Sequence, residues 1–441
     1  MTSTIKIGFL GFGTVGTGTV EVLTENKDLL TERVNAVLEV EKILVKNKTK
    51  SRTTQLNQNF ISDKLTDDPE EILRNQDIQI VVEVMGTEEP ALSYMKKAIK
   101  AGKHVVTANK EVIAKHGEDL TSLAKNNGVN FLYEASVAGG VPVIRPLKAC
   151  LAGNTVKEIS GILNGTTNYI LTEMEEKEAE FNEALKKAQE LGYAESDPTD
   201  DVEGFDAVRK LAIMTSMATN STVLPEDIYT EGISGVTKED LQFLGDHGYK
   251  IKLLGQTKIN GTEVESRVAP TFLPCDNPLS SVSGVYNSIL IKGEPVGYLT
   301  FTGEGAGKEA TSSAVLSDII EAARNGKHSN NFNGWSKNNF YKILDKEETS
   351  SLFYLRLVSS NPSQTEQEQK VNKSEIQNLL NHHGIELQQL DKKSSSNGKQ
   401  ELFIITELAK EQNVQNAISD LQDKSVELIN IIRGDNSNGG R

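Results

Sequence analysis

The feature that most constrains this chain is its opening run, IKIGFLGFGTVGTGTVEVL, residues 5–23. A short apolar strand runs into Gly11, Gly13 and Gly16 at GxGxxG spacing, and an apolar helix follows. In that context each glycine has a physical task. Gly11 permits the tight turn, Gly13 lets backbone approach a pyrophosphate, and Gly16 lets helix and strand pack closely, with the helix N-terminus facing the phosphates. The pattern continues as strand and helix in alternation. VEKILV (40–45) reads as the second strand. IQIVVEVMG (78–86) is a near-continuous apolar run, as a parallel sheet covered on both faces requires. ALSYMKKAIKAG (91–102) reads as an amphipathic helix closed by Gly102. KHVVTANK (103–110) is the next strand, 118–128 a helix and VNFLYEASVAGG (129–140) a further strand. The fold class is α/β, with a Rossmann-type doubly wound parallel sheet over residues 1–150.

A sheet of this kind binds a nicotinamide dinucleotide, and the side chain ending its second strand selects between NAD and NADP. Counting about twenty residues past the glycines reaches Glu39, which suits NAD. The strand, however, runs on to Val45, and Lys46 follows, with Lys48, Lys50 and Arg52 close behind. A cation there suits a 2′-phosphate, so Lys46 points to NADP, with NAD the alternative. Lys110, after Asn109 in TANKEVIA, falls at the ligand-binding edge of the sheet.

The second organising stretch is Tyr193 to Lys210, YAESDPTDDVEGFDAVRK, with six carboxylates ahead of an apolar helical run. Asp206 and Lys210 are i and i+4 and share one helix face, acid before base. The acidic loop suits a small cationic substrate, and a lysine beside a carbonyl can supply the proton that hydride transfer demands. Asp197, before Pro198, is read as a turn former and Asp200 as solvated. Upstream, VKEISGILNGTTNYILTEM (156–174) is a strand, a turn at Asn164-Gly165, and a helix capped by Thr166 or Thr167. GEGAGKEAT (303–311) is a second glycine-rich loop before a helix; it returns the chain to the first domain and offers Gly305 to the nicotinamide end.

Taken in order, GFGTVGTG, TANKEVIA, YEASVAGGVP, GILNGTTNYILTEM, GYAESDPTDDVEGFDAVRKLAI and GEGAGKEATSSAVLSDI resemble homoserine dehydrogenase, from residue 5 to about 330. The resemblance implies a reversible NAD(P)H-dependent reduction of L-aspartate 4-semialdehyde to L-homoserine, within threonine and methionine biosynthesis. It implies Lys210 as proton donor and acceptor, Asp206 as its partner and Lys110 as a shared cofactor and active-site contact. Glu195, Tyr193, Asp201, Gly165 and Thr166 are implied as substrate contacts. Phe12, Thr14, Val15 and Thr87 join the three glycines around the dinucleotide. The family also implies a monovalent cation, sodium, on the loop of Glu134, Val137, Gly139 and Val141, mostly through backbone carbonyls. Competing readings are a dehydrogenase of a related amino-aldehyde and an inactive nucleotide-binding sensor.

The expected layout is a dinucleotide-binding domain (1–150), an α+β substrate, catalytic and dimerisation domain (151–335) and a C-terminal unit (350–434), with a disordered tail at 435–441. The last unit orders its elements β-α-β-β-α-β, which is ferredoxin-like and resembles an ACT regulatory domain. Its SSNPSQTEQEQK segment lacks the Asp-x-Pro-Gly turn of such domains, which leaves threonine control in doubt. A homodimer is expected, and possibly a tetramer through this unit. With 47 basic and 62 acidic residues the net charge is −15, which argues against nucleic acid or an anionic membrane as partner. Two cysteines outside any CxxC pattern, no signal peptide and no apolar run of about 18 residues predict a cytoplasmic protein.

Overall fold

The computed structural model describes residues 3–50, 52–325, 335–336, 340–359, 373–394, 400–423 and 426–435. Six parallel strands form the first sheet: β1 (Ser3–Leu10), β2 (Ala36–Leu44), β3 (Leu65–Thr66), β4 (Ile78–Glu83), β5 (His104–Thr107) and β6 (Phe131–Leu132), in the order β3-β2-β1-β4-β5-β6. This is the doubly wound arrangement, and the strand order reverses between β1 and β4, where such sheets bind dinucleotides. Ile7, Phe9, Val81, Val82 and Val106 are fully buried, because helices cover both faces of the sheet.

Several boundaries differ from expectation for local reasons. The glycine loop is followed by two helices, Thr14–Glu25 and Lys27–Val34, and the second ends at Asn35 in the left-handed region (φ 56°), so β2 starts at Ala36. The next helix begins at Lys110 rather than 118, because the Asn109 side chain accepts the Val112 N–H and caps it. The expected strand over 129–140 shrinks to two residues. The Glu134 carboxylate accepts the N–H groups of Val143, Ile144 and Arg145 and curls the chain. Asn164, not a threonine, caps the helix Gly165–Lys177 by accepting the Thr167 N–H.

The second sheet has twelve strands. Its main path runs from Gly297–Glu304 at one edge through Tyr286–Glu294, Thr155–Ile162, Tyr249–Asn260 and Glu263–Pro274, then Val426–Gly434, Ser350–Ser359, Gln400–Thr406 and Leu387–Ser394. The chain crosses back as well. Helix Lys308–Asn325 buries Val315 and Ile319 in the same core as Ile7 and Phe9 of the first sheet and Val20 of the helix Thr14–Glu25. Part of the 151–335 stretch thus packs into the core of the dinucleotide half.

The C-terminal unit has the β-α-β-β-α-β order, with its strands arranged last, first, third, second. That is a ferredoxin-like layer. It is not set apart, since its last strand pairs in parallel with Glu263–Pro274, Thr271 beside Arg433 and Phe272 beside Gly434. Residues 360–370 of the SSNPSQTEQEQK segment and residues 436–441 of the expected tail lie outside the described residues. Asp435 is ordered: it is buried, and its N–H bonds to the Phe272 carbonyl. Among the described residues, no helix is long and apolar enough to cross a membrane.

Candidate active site

A cavity of about 780 Å³ opens at the switch point, between the carboxyl ends of β1, β2 and β4. Gly11, Phe12, Gly13, Thr14, Lys46 and Thr87 line it. At Gly13 an added Cβ would meet nothing within 4 Å, so the backbone faces open space where a pyrophosphate would lie. At Gly16 an added Cβ would come within 2.7 Å of the Gly11 carbonyl oxygen, so only glycine permits that close turn. Lys50, Arg52, Lys308 and Asp67 also line the cavity, and Lys48, which does not, pairs with Asp67 at 2.9 Å. Glu39 sits exposed in the middle of β2, opposite Lys6, away from this mouth. Val15, Gly16, Lys110 and Gly305 do not line the cavity. The Val15 carbonyl accepts the Ser312 hydroxyl, and Gly305 is pressed against the Asn287 amide, where a Cβ would come within 2.1 Å.

Lys110 belongs instead to a second cluster, on the floor between the two sheets. Its Nζ lies 3.1 Å from Asp206, and Lys210 Nζ donates to the other Asp206 oxygen at 2.7 Å and to the Leu163 carbonyl at 2.7 Å. Asp206 is buried, which alone would raise its pKa, but the two ammonium groups outweigh burial and hold it well below the carboxylate range. Lys110 shows the mirror effect: burial pulls its pKa down, the Asp206 charge pulls harder, and the net shift is upward. An ammonium carries three N–H bonds. Lys210 spends two on protein oxygens, which leaves one for a substrate oxygen.

Two braces hold this cluster that sequence reasoning missed. Asn164 Nδ2 donates to Asp201 at 2.7 Å and to Asp206 at 3.0 Å while its Oδ1 caps the following helix, so one amide ties two acids to one helix end. The signal was an asparagine before glycine at a strand-to-helix junction. On the other side Asn109 Nδ2 donates to the Thr87 carbonyl at 2.8 Å, and the Asn109 N–H reaches the Thr107 hydroxyl at 3.0 Å. That hydroxyl donates to Glu83 at 2.6 Å. Burial pushes the Glu83 pKa up. Thr87 in the cavity and Lys110 in the cluster are thus joined through one asparagine.

The other expected substrate contacts sit on the acidic loop and at the helix end that opens at Gly165. Asp201 is half-buried; burial, with the Asp206 charge beside it, pushes its pKa up. Glu195 and Tyr193 are exposed, the Tyr193 ring 5.0 Å from that of Tyr169. The Thr166 hydroxyl donates to the Tyr193 carbonyl at 2.7 Å, which ties Gly165 and Thr166 to the acidic loop. Asp197 accepts the Thr199 N–H and hydroxyl, as a turn former does. Asp200 is not merely solvated: both its oxygens take Arg209 Nη1 at 2.7 Å.

Three backbone N–H groups bond to the Glu134 carboxylate, two on Oε1 and one on Oε2. Ala138 and Gly139 are both left-handed (φ 54° and 51°), and they bend the loop of Val137, Gly139 and Val141 tightly. No cluster of three or more His, Cys, Asp or Glu side chains suited to a metal occurs among the described residues.

Two family models match the chain. One, described as the NAD binding domain of homoserine dehydrogenase, covers residues 11–134, and the other, described as homoserine dehydrogenase, covers 142–320. The chain belongs to the homoserine dehydrogenase family. The homoserine dehydrogenase of Synechocystis is 36% identical over 98% of this chain and 99% of its own length. That of Corynebacterium glutamicum is 37% identical over 96% and 94%. The crystal structure of a homoserine dehydrogenase from Thiobacillus denitrificans superposes with a TM-score of 0.87 at 35% identity, covering 98% of each chain. A hyperthermophilic archaeal homoserine dehydrogenase, solved in complex with NADPH, matches 72% of this chain and 97% of its own with a TM-score of 0.60 at 28% identity. Like other homoserine dehydrogenases, the chain is an NAD(P)-dependent oxidoreductase that interconverts L-aspartate 4-semialdehyde and L-homoserine.

Proposed function

We propose that Lys210 carries the proton in this reaction and that the acidic loop holds the amino acid. One observation supports this above the rest: Lys210 and Lys110 both pair with the buried Asp206, between the dinucleotide cavity and the loop. In the reducing direction Lys210 gives its remaining proton to the aldehyde oxygen as that oxygen becomes an alkoxide; in reverse it takes the hydroxyl proton. Asp206 orients it, and Lys110 adds a second positive charge near the developing oxyanion. The substrate ammonium falls to Glu195 and Asp201, and Tyr193, Gly165 and Thr166 complete the wall. An ammonium at Asp201 would offset the burial that pushes that carboxyl up.

The dinucleotide supplies or accepts the hydride and would rest on Gly11, Phe12, Gly13, Thr14, Val15 and Gly16, with Thr87, Lys110 and Gly305 toward its nicotinamide. NADP is the preferred form, with Lys46 beside the 2′-phosphate; the cation lining at the end of β2 and the NADPH complex of the archaeal relative support this. A sodium ion sits on carbonyls of Glu134, Val137, Gly139 and Val141, a reading supported by the tight left-handed bend there. The protein is a homodimer, with the exposed edge strand Gly297–Glu304 as one available surface, and forms a tetramer if the ACT-like unit of 350–434 also associates. Cys150 and Cys275 are both free thiols, as a reducing cytoplasm keeps them.

Nicotinamide absorbance with homoserine and either dinucleotide tests the assignment, and a folded protein that turns over neither would overturn it. Lys46→Ala should raise KM for NADP about tenfold, the loss of roughly 1.4 kcal/mol from one charged contact, and leave NAD unmoved. Equal changes for both cofactors would sink the preference.

A further inference from the structure

Behind the acidic loop lies a buried charge network that the reaction does not use. Arg433, in the strand Val426–Gly434, is only 1% exposed. Its Nε and Nη2 grip the Glu411 carboxylate at 2.9 and 2.7 Å, a fork that fixes the guanidinium plane. The remaining Nη1 donates to Glu231 at 2.7 Å, and the Tyr229 hydroxyl donates to the same oxygen at 2.6 Å. Glu231 opens a short segment that presses on the loop. The Ile233 N–H bonds to the Val202 carbonyl at 2.8 Å, and the Ser234 hydroxyl donates to Glu203 at 3.0 Å. At Gly232 an added Cβ would fall 2.3 Å from the Val202 carbonyl oxygen and 2.6 Å from the Glu203 Cα, so this contact is backbone on backbone. Val202 and Glu203 directly follow Asp201, and the Gly204 N–H returns to the Asp201 carbonyl at 3.1 Å.

One side of this segment is held by backbone: Tyr229–Thr230 pairs with Arg267–Val268, the Glu231 N–H bonds to the Val268 carbonyl at 2.8 Å, and Ile233 is fully buried. A cavity of about 340 Å³ separates it from the C-terminal strand, with Glu203, Phe205, Glu231 and Gly232 on one side and Asn430 and Ile432 on the other. The Arg433–Glu231 contact spans that gap. A buried ion pair of this kind adds little net stability over an apolar filling of the same volume. What it does supply is a fixed direction.

We propose that Arg433 is a positioning residue for the substrate loop: through Glu231 it holds residues 231–234 against Val202 and Glu203 and so sets where Asp201 meets the amino acid. The C-terminal unit then acts on the substrate site through the loop, with none of the site residues named above among its own described residues. This rests on the loop assignment made above. Displacing a contact group by about 1 Å from a distance can cost up to roughly 100-fold.

The test compares steady-state kinetics of the full-length enzyme with Arg433→Met and Glu231→Gln. Both should raise KM for homoserine strongly, leave KM for the dinucleotide unchanged and lower kcat far less. The double variant should be no worse than the worse single one, because both break one link. Glu231→Gln leaves the Arg433–Glu411 pair intact, so it reports even if Arg433→Met does not fold. A folded Glu231→Gln enzyme with unchanged homoserine KM overturns the proposal. Asp201→Asn separates the two levels. If it moves homoserine KM and Glu231→Gln does not, only the strut is wrong; if Asp201→Asn itself has no effect, the loop assignment falls and the strut with it.

Discussion

The molecule holds two buried charge clusters of opposite design. In one, the anion Asp206 sits between two cations, Lys110 and Lys210. In the other, the cation Arg433 sits between two anions, Glu411 and Glu231. Both centres are sealed: the Asp206 side chain is 8% exposed and that of Arg433 1%. The flanks are mixed in both: Lys110 is 35% exposed and Lys210 11%, while Glu231 is 30% exposed and Glu411 1%. Lys210 has a donor to spare, while the fork of Arg433 is closed on its partners. A shifted pKa or a buried ion pair therefore does not by itself mark catalysis. What sets the first cluster apart is the Lys210 N–H left over after its bonds to Leu163 and Asp206.

The sharpest break between the clusters is kinetic. Lys210→Ala should lower kcat by roughly 10²–10⁴ while dinucleotide binding, read by fluorescence titration, stays intact. Activity near that of the parent would remove Lys210 from the proton path. The reciprocal change is Glu411→Gln. It takes one partner from a sealed pair and should cost about 3–5 kcal/mol in denaturant unfolding, with kcat of the folded enzyme near the parent value. A small stability loss would show the sealed cluster to be less tightly coupled than its geometry indicates. The smallest effect concerns acid. The pKa of Asp206 is depressed in the folded state, so its contribution to stability is complete above its unfolded value near 3.9 and is lost as pH falls toward the folded one. Asp206→Asn should flatten the stability profile between about pH 5 and pH 2 by on the order of 2 kcal/mol. An unchanged slope would mean that other carboxylates carry the acid sensitivity.

What the sequence made legible was local or periodic. The glycine spacing, the apolar strands and the Asp206–Lys210 pair all depend on separations of a few residues, and the pair does meet, at 2.7 Å. Lys110 was placed at the right sheet edge, but the start of its helix was missed, because a single cap at Asn109 sets it rather than a hydrophobic period. Asn164 escaped because its acids lie 37 and 42 residues away, and no pattern encodes such a bridge. Thr166 and Thr167 drew attention as caps because threonine often serves so; the asparagine before them won by reaching a helix N–H and two carboxylates at once. The β-α-β-β-α-β order of the last segment was readable, but not that its final strand would join the catalytic sheet. An exposed edge strand says nothing in sequence about which neighbour takes it.

That final strand bears on how the protein is made. Val426–Gly434 lies within the path of the second sheet yet follows its neighbour Glu263–Pro274 by about 150 residues of chain. A ribosome-bound chain can pair the strands from Thr155 to Pro274 but cannot close their outer edge until Gly434 has been made. Until then Glu263–Pro274 lacks its neighbour at Thr271 and Phe272, and Glu231 waits for its arginine. Such late, distant pairings are slow and leave a strand edge open to other chains. Maturation of this enzyme is therefore gated by the arrival of Val426–Gly434, and a chain cut before that strand should be an aggregation-prone polypeptide rather than a smaller working dehydrogenase.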